Sequence, residues 1–162
     1  MKSAVYPGSF DPVTLGHLNI IRRASRIFDK LYVCVAVNSA KNTTFTAEER
    51  VDFLKRSTAR FGNVIVESSD ELLVNYCRSR DIGVIVKGLR AVSDYENEFQ
   101  MALINKKLAP DIDTMFMASD AKYTYLSSTV AKEMARYGVL LDEYIPREIV
   151  KDVSEKLKDG GK

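Results

Sequence analysis

Short apolar runs rich in β-branched and aromatic residues recur at Ser3–Tyr6, Leu31–Val37, Asn63–Val66, Gly83–Val86 and Thr114–Met117. Each is too short for a stable helix, so each predicts a strand. Between these runs the apolar positions change period. Leu15, Leu18, Ile21, Ala24 and Ile27–Phe28 fall three or four residues apart and make one apolar helix face. Thr46 followed by Glu49 is a capping box that opens a helix running to about Arg60. Glu71–Arg80 and Ser93–Leu108 predict two further helices. Ser127–Tyr137 predicts another, stopped by Gly138, and a last polar helix starts near Pro146, a favourable first-turn residue. The Asp159-Gly160-Gly161 end is expected to form a flexible tail over 159–162.

Strands alternating with helices predict an α/β protein with a parallel sheet covered on both faces and right-handed crossovers. No internal repeat, low-complexity segment or linker interrupts the pattern. The expectation is one doubly wound, Rossmann-like domain over residues 1–162, with five parallel strands in the order 3-2-1-4-5. Such sheets bind ligands beyond the carboxyl ends of the strands, where the strand order reverses. In that order the first and fourth strands are neighbours, and their outgoing helices lie on opposite faces.

Composition narrows the function classes. The chain has 162 residues, 46% of them hydrophobic and 28% charged, with a net charge of +2. That charge is too small for a general nucleic-acid coat or a polybasic membrane binder. The longest apolar run, Leu31–Val37, is far short of the roughly 18 residues that span a bilayer. Pro7-Gly8 breaks the first apolar stretch, so no secretory signal is expected. Cys34 and Cys77 sit inside apolar patterns and look like buried small hydrophobes, which points to a reducing, cytoplasmic setting. With no CxxC, no HExxH and a single histidine, a structural zinc site is not expected. No GxGxxG follows the first strand and no GxxxxGK[ST] exists, which argues against a dinucleotide dehydrogenase and a P-loop NTPase.

The unusual residues lie in the loops that follow strands. Tyr6 to His17 holds two prolines and two glycines, a stiff and tightly turned segment ending in a helix start. An imidazole there can add a hydrogen bond to an anion already attracted by the helix N-terminus. A plain turn histidine is the alternative, but the Pro/Gly-rich setting favours the anion site. Lys41 follows the second strand, where a solvated loop lysine is equally ordinary. Lys87 and Arg90 flank Gly88 after the fourth strand, a point charge and a bidentate fork on the same sheet edge. Ser127, Ser128 and Thr129 open a helix with more hydroxyls than capping needs, a second candidate phosphate cradle. Tyr123 and Tyr125 are either pocket lining or core. Two cradles and three cations suit a ligand rich in phosphate, or two phosphorylated ligands.

The Thr14-Leu15-Gly16-His17 element resembles the [HT]xGH signature of the nucleotidylyltransferase superfamily. Leu126-Ser127-Ser128-Thr129 resembles its ISSTxxR-type second signature, with Lys132 where the superfamily often carries arginine. Three segments narrow the match: Tyr6-Pro7-Gly8-Ser9-Phe10-Asp11-Pro12, Phe45-Thr46-Ala47-Glu48-Glu49-Arg50 and the stretch from Gly88 to Glu96. Together they resemble the bacterial phosphopantetheine adenylyltransferase family from the first strand to the last helix.

The resemblance implies transfer of the adenylyl group of ATP to 4′-phosphopantetheine, with magnesium, a cytoplasmic homohexamer, and coenzyme A as a feedback inhibitor. It implies His17 as transition-state stabiliser at the α-phosphate. Ser9 would contact both substrates, with Phe10 beside it at the nucleotide. Lys41, Leu73 and Lys87 would hold phosphopantetheine. Gly88, Leu89, Arg90, Glu98 and the run Tyr123, Thr124, Tyr125, Leu126, Ser127, Ser128, Thr129 would hold ATP. No protein ligand for magnesium is implied, and neither nucleic acid nor membrane is an expected partner. Two alternatives stand beside this one. One is a nucleotidylyltransferase acting on nicotinate mononucleotide or a phosphorylated alcohol. The other is a nucleotide-binding regulatory domain without turnover.

Overall fold

The computed structural model describes residues 1–159, so the expected tail residues 160–162 lie outside the described residues, while Asp159 still belongs to the last helix. Five strands form one parallel sheet: β1 (Ser3–Gly8), β2 (Lys30–Ala36), β3 (Val64–Ser69), β4 (Val84–Leu89) and β5 (Asp113–Ala118). Their order is β3-β2-β1-β4-β5, the order expected above. Six helices connect and follow them: α1 (Leu15–Ala24), α2 (Ala47–Thr58), α3 (Leu73–Ser79), α4 (Val92–Leu108), α5 (Ser128–Arg136) and α6 (Val150–Asp159). No helix among the described residues is long and apolar enough to cross a membrane.

The pleat of the central strand builds two cores. Ala4 and Tyr6 of β1 face a large cluster with Ile20 and Ile21 of α1, Leu54 of α2, Ala131 of α5 and Val153 of α6. Val5, pointing the other way, joins Ile85, Val74, Tyr76 and Cys77 on the α3 face. Cys34 and Cys77 are buried free thiols, which burial pushes up to about 11 and about 12.

β1, β3 and β4 run two or three residues past the ends of their apolar stretches, and β5 one. β2 and β3 pair through Cys34↔Glu67, Val35↔Ser68 and Ala36↔Ser69. β4 and β5 pair through Lys87↔Phe116, Gly88↔Met117 and Leu89↔Ala118. The ladder bonds are backbone bonds, so polar side chains at strand ends do not stop them. Lys87, Gly88 and Leu89 therefore sit on a strand rather than on a loose loop. β1 likewise carries Pro7, paired with Cys34 of β2. A proline in a central strand forfeits a ladder bond. On the β4 side Pro7 lies beyond the pairing, because β1 meets β4 at only Ala4↔Val84 and Val5↔Ile85. Beyond these pairs the two central strands part company. The gap between them, at their carboxyl ends, is the crevice.

Candidate active site

A cavity of about 410 Å³ occupies that gap. β1 and its loop supply Tyr6, Gly8 and Ser9; α1 supplies His17 and Ile20; β4 supplies Lys87 and Gly88, the turn after it Arg90, and α4 Asp94 and Glu98. Lys41 reaches in from the β2–α2 loop, and Leu126, Ser127 and Ser128 close the wall at the start of α5. Gly88 is a glycine because α1 packs directly on β4: a Cβ there would lie 3.0 Å from Ile20 Cγ1.

His17 is held in one orientation. Thr14 is the N-cap of α1, and its hydroxyl accepts the His17 backbone N–H at 3.2 Å. In return, the Thr14 backbone N–H donates to His17 Nδ1 at 3.0 Å, which completes a capping box with histidine in place of the usual Glu or Gln. Nδ1 is thus an acceptor, and the ring proton resides on Nε2. Phe10 packs edge-on against the imidazole with ring centroids 5.0 Å apart, and against Tyr6 at 5.4 Å. Phe10 itself sits at φ 48°, a left-handed conformation that an aromatic residue seldom adopts and that the packing around it maintains. Burial, and then the positive charge of Arg90, pushes the imidazole down to about 4. At neutral pH His17 is a neutral Nε2–H donor. Burial and the Glu98 charge likewise hold the Tyr6 hydroxyl protonated, above its ordinary range.

The cations are aimed by carboxylates. Arg90 Nε lies 3.3 Å from Asp94 Oδ2, an i,i+4 pair, and Arg90 Nη1 donates to the Leu126 carbonyl at 2.7 Å. The guanidinium thereby joins the β4 end to the α5 start. Lys87 Nζ lies 3.1 Å from Glu98 Oε2. That contact is a charge pairing off the hydrogen-bond direction, so the covered Oε2 is left without a donor. Lys41 makes no ion pair among the described residues. At α5, the Ser127 hydroxyl accepts the Val130 N–H at 3.1 Å, and the Ser128 hydroxyl donates to the Pro12 carbonyl at 2.7 Å. One hydroxyl is a cap and one a tie between loops, so the backbone amides carry more of any cradle here than the hydroxyl count suggested.

The cavity brings together Ser9, His17, Lys41, Lys87, Gly88, Arg90, Glu98, Leu126, Ser127 and Ser128 from the expected set. Phe10 and Leu89 are not among its lining residues; Phe10 is buried against the His17 ring, and Leu89 is half-buried at the end of β4. Leu73 opens α3 and packs against the smaller core cluster. Tyr123 and Thr124 lie in and after a short 3-10 turn before α5, and Tyr125 is exposed with its ring edge-on to Tyr144. Thr129 lines a neighbouring cavity with Ser9, Lys41, Ser128 and Lys132. Sequence reasoning passed over Asp94, though its i,i+4 spacing from Arg90 was a usable signal. It also passed over Tyr6, whose role depends on strand splay that no local pattern announces. Lys132 is turned to Asp11 Oδ2 at 3.0 Å.

A neutral donor, two cations aimed by carboxylates and the unpaired Lys41, set in the crevice of a 3-2-1-4-5 sheet, define a nucleotide-handling site of the nucleotidyltransferase class. Residues 5–134 match the Cytidylyltransferase-like family. A bifunctional NMN adenylyltransferase/ADP ribose pyrophosphatase from Francisella tularensis shares the fold, with a TM-score of 0.75 and 14% identity over 99% of this chain and 52% of that one. A phosphopantetheine adenylyltransferase of Clostridium botulinum strain Hall is 50% identical over 157 residues, 97% of this chain and 96% of its own. One from strain Eklund 17B is 50% identical over 158 residues, 98% and 99% of the two chains. The chain belongs to the phosphopantetheine adenylyltransferase family.

Proposed function

We propose that the chain transfers the adenylyl group of ATP to 4′-phosphopantetheine, giving dephospho-coenzyme A and pyrophosphate, in coenzyme A synthesis. The observation that carries the reading is His17, a neutral donor fixed by Thr14 in the same cavity as Lys41, Lys87, Arg90 and the α5 start. A phosphate oxygen of the acceptor attacks the α-phosphorus of ATP in line. The new P–O bond forms as the bond to the β-phosphate oxygen breaks, and both electrons of that bond leave with pyrophosphate. The nucleophile is already anionic, so no general base and no covalent enzyme intermediate is needed. The protein's contribution is alignment and charge stabilisation.

In this reading His17 Nε2–H donates to the α-phosphate, most strongly in the transition state. Lys41 and Lys87 receive the acceptor phosphate and offset the repulsion between two anions. Ser9 meets both substrates, and Leu73 meets the pantetheine arm. Arg90 and the Ser127–Thr129 turn receive the β- and γ-phosphates, with Phe10, Gly88, Leu89 and residues 123–126 around the nucleotide. Glu98, which pairs with Lys87, stands beside the nucleotide in this reading. Magnesium would offset charge on the phosphates. Asp94 and Glu98, the two carboxylates lining the cavity, are each committed to a cation, so the ion is assigned to phosphate oxygens and water. Coenzyme A carries the same phosphopantetheine moiety as the acceptor and would compete for its half of the cleft. A cytoplasmic homohexamer is part of the proposal. α4 supports association between copies, since only its Asn105 is buried while Val92, Tyr95, Phe99, Leu103 and Ile104 are exposed; the number of copies and the compartment rest on the family resemblance.

The test is magnesium-dependent pyrophosphate release from ATP with 4′-phosphopantetheine, with nicotinate mononucleotide and glycerol 3-phosphate in parallel and mass spectrometry of the products. Release with phosphopantetheine alone and detection of dephospho-coenzyme A is expected. Release only with another acceptor would keep the His17 chemistry and overturn the roles of Lys41, Leu73 and Lys87. ATP binding without release in any arm would overturn turnover itself. Light scattering of the purified chain tests the hexamer.

A further inference from the structure

We propose that Asp11, acting with the buried Arg50, is a positioning residue that presents Lys41 to the acceptor phosphate. The inference rests on the acceptor assignment made above. Asp11 is 7% exposed and Arg50 3%, a buried anion and a buried cation beneath the same loop. Asp11 Oδ1 accepts the Phe45 N–H at 2.9 Å, and Oδ2 accepts the Thr44 N–H at 2.9 Å and Lys132 Nζ at 3.0 Å. Arg50 Nη1 donates to the carbonyls of Ser9 at 2.8 Å and Ala36 at 3.3 Å. Its Nε donates to those of Phe45 at 3.1 Å and Thr46 at 3.3 Å.

These bonds grip the Lys41 segment at both ends. Ala36, where β2 stops, is held by Arg50; Thr44 and Phe45, just before α2, are held by Asp11. Between the grips lies a small turn, with the Lys41 N–H on the Asn38 carbonyl at 3.0 Å and the Ala40 N–H on Asn38 Oδ1 at 2.9 Å. Arg50 ties the same assembly to Ser9, so the two loops that face the acceptor move as one body. Lys132 completes the device. It supplies the countercharge for Asp11, so the carboxylate does not draw Lys41 onto itself, and Lys41 stays unpaired. Buried charges of this kind are costly unless every oxygen and nitrogen is used, and here the carboxylate is fully engaged.

A purely structural tie would weaken the protein as a whole; a positioning residue acts through Lys41. The two are separated by a double-mutant cycle with Asp11→Asn and Lys41→Ala. The carboxamide keeps the volume but turns an NH2 toward one of the two amides and removes the countercharge of Lys132. Asp11→Asn is expected to raise KM for phosphopantetheine about tenfold while KM for ATP stays within about twofold. In the Lys41→Ala background the further effect of Asp11→Asn on that KM is expected to be under about twofold. Additive effects, or a parallel rise in KM for ATP, would overturn the proposal. Amide hydrogen exchange is the second readout and needs no turnover. Thr44 and Phe45 should exchange slowly in the unsubstituted protein and residues 39–43 rapidly, with Thr44 and Phe45 becoming fast in Asp11→Asn. Fast exchange at Thr44 and Phe45 before substitution would overturn the clamp even if the variant does not fold. An unsubstituted enzyme inactive on phosphopantetheine but protected at these amides would overturn the acceptor reading, and with it the role given to Lys41.

Discussion

Replacing His17 by Asn isolates the donor from its scaffold. The Asn side-chain oxygen takes the place of Nδ1 and can accept the Thr14 N–H, so the helix cap persists. What disappears is Nε2–H and the imidazole face against Phe10. Loss of one preorganised donor aimed at developing negative charge costs about 10²–10³ in kcat, or roughly 2.7–4 kcal/mol. The lost aromatic contact costs about 0.5–1.5 kcal/mol of stability and does not touch the reacting groups. Steady-state pyrophosphate release should therefore show kcat down by about two to three orders of magnitude, while calorimetry gives an ATP affinity within about threefold of the unsubstituted chain. Because the imidazole is already neutral, kcat should not rise through a histidine titration near pH 6.5. A variant that keeps kcat within about fivefold would refute the argument that the bond strengthens in the transition state.

The same imidazole sets a pH signature for stability. Its native value of about 4 lies below the ordinary 6.5, so between those values the unfolded chain binds a proton that the native one refuses. Its contribution is fully present above about pH 6.5 and is lost as pH falls toward 4, by at most about 3 kcal/mol since the ring edge meets an open cleft. Denaturant melts at several pH values should give a steeper acid decline for the unsubstituted chain than for His17→Asn; equal slopes would count against the burial. Gly88→Ala forces a Cβ to 3.0 Å from Ile20 Cγ1 and should destabilise by about 1–3 kcal/mol, whereas Gly16→Ala, with nothing nearer than 3.5 Å, should not lower the melting temperature. Cys34 and Cys77, their thiols pushed up by burial, should resist iodoacetamide at neutral pH until the chain unfolds; rapid labelling of the native protein would contradict their placement.

The parallel sheet was legible because strand and helix periods alternate cleanly; the observed order 3-2-1-4-5 is one of the common doubly wound orders, and alternation alone does not choose among them. The Thr46–Glu49 capping box appears as written, with both reciprocal bonds made. The Thr14–His17 box was hidden, because a histidine at that position does not announce itself as a cap. Strand ends were less legible: Glu67–Ser69 and Lys87–Leu89 continue their ladders through backbone bonds that polar side chains conceal. The loops that carry cations were visible as punctuation. The partners that aim them were not, since Asp11 with Thr44, or Arg50 with Ser9, are pairs 33 and 41 residues apart. Only the tertiary fold brings such partners together.

The parting of β1 and β4 makes the sheet two ribbons stitched by two residue pairs. A ligand entering the crevice breaks no ladder bond, because beyond Val5 and Ile85 there is none to break. The energy that other folds spend on prying open a closed surface is here left in the binding step. The seam is also the natural axis for relative rocking of the β3-β2-β1 and β4-β5 halves. Lys41 rides on one half, Lys87 and Arg90 on the other. A small change at the stitch would therefore alter the span between Lys41 and Lys87 while leaving each half internally intact.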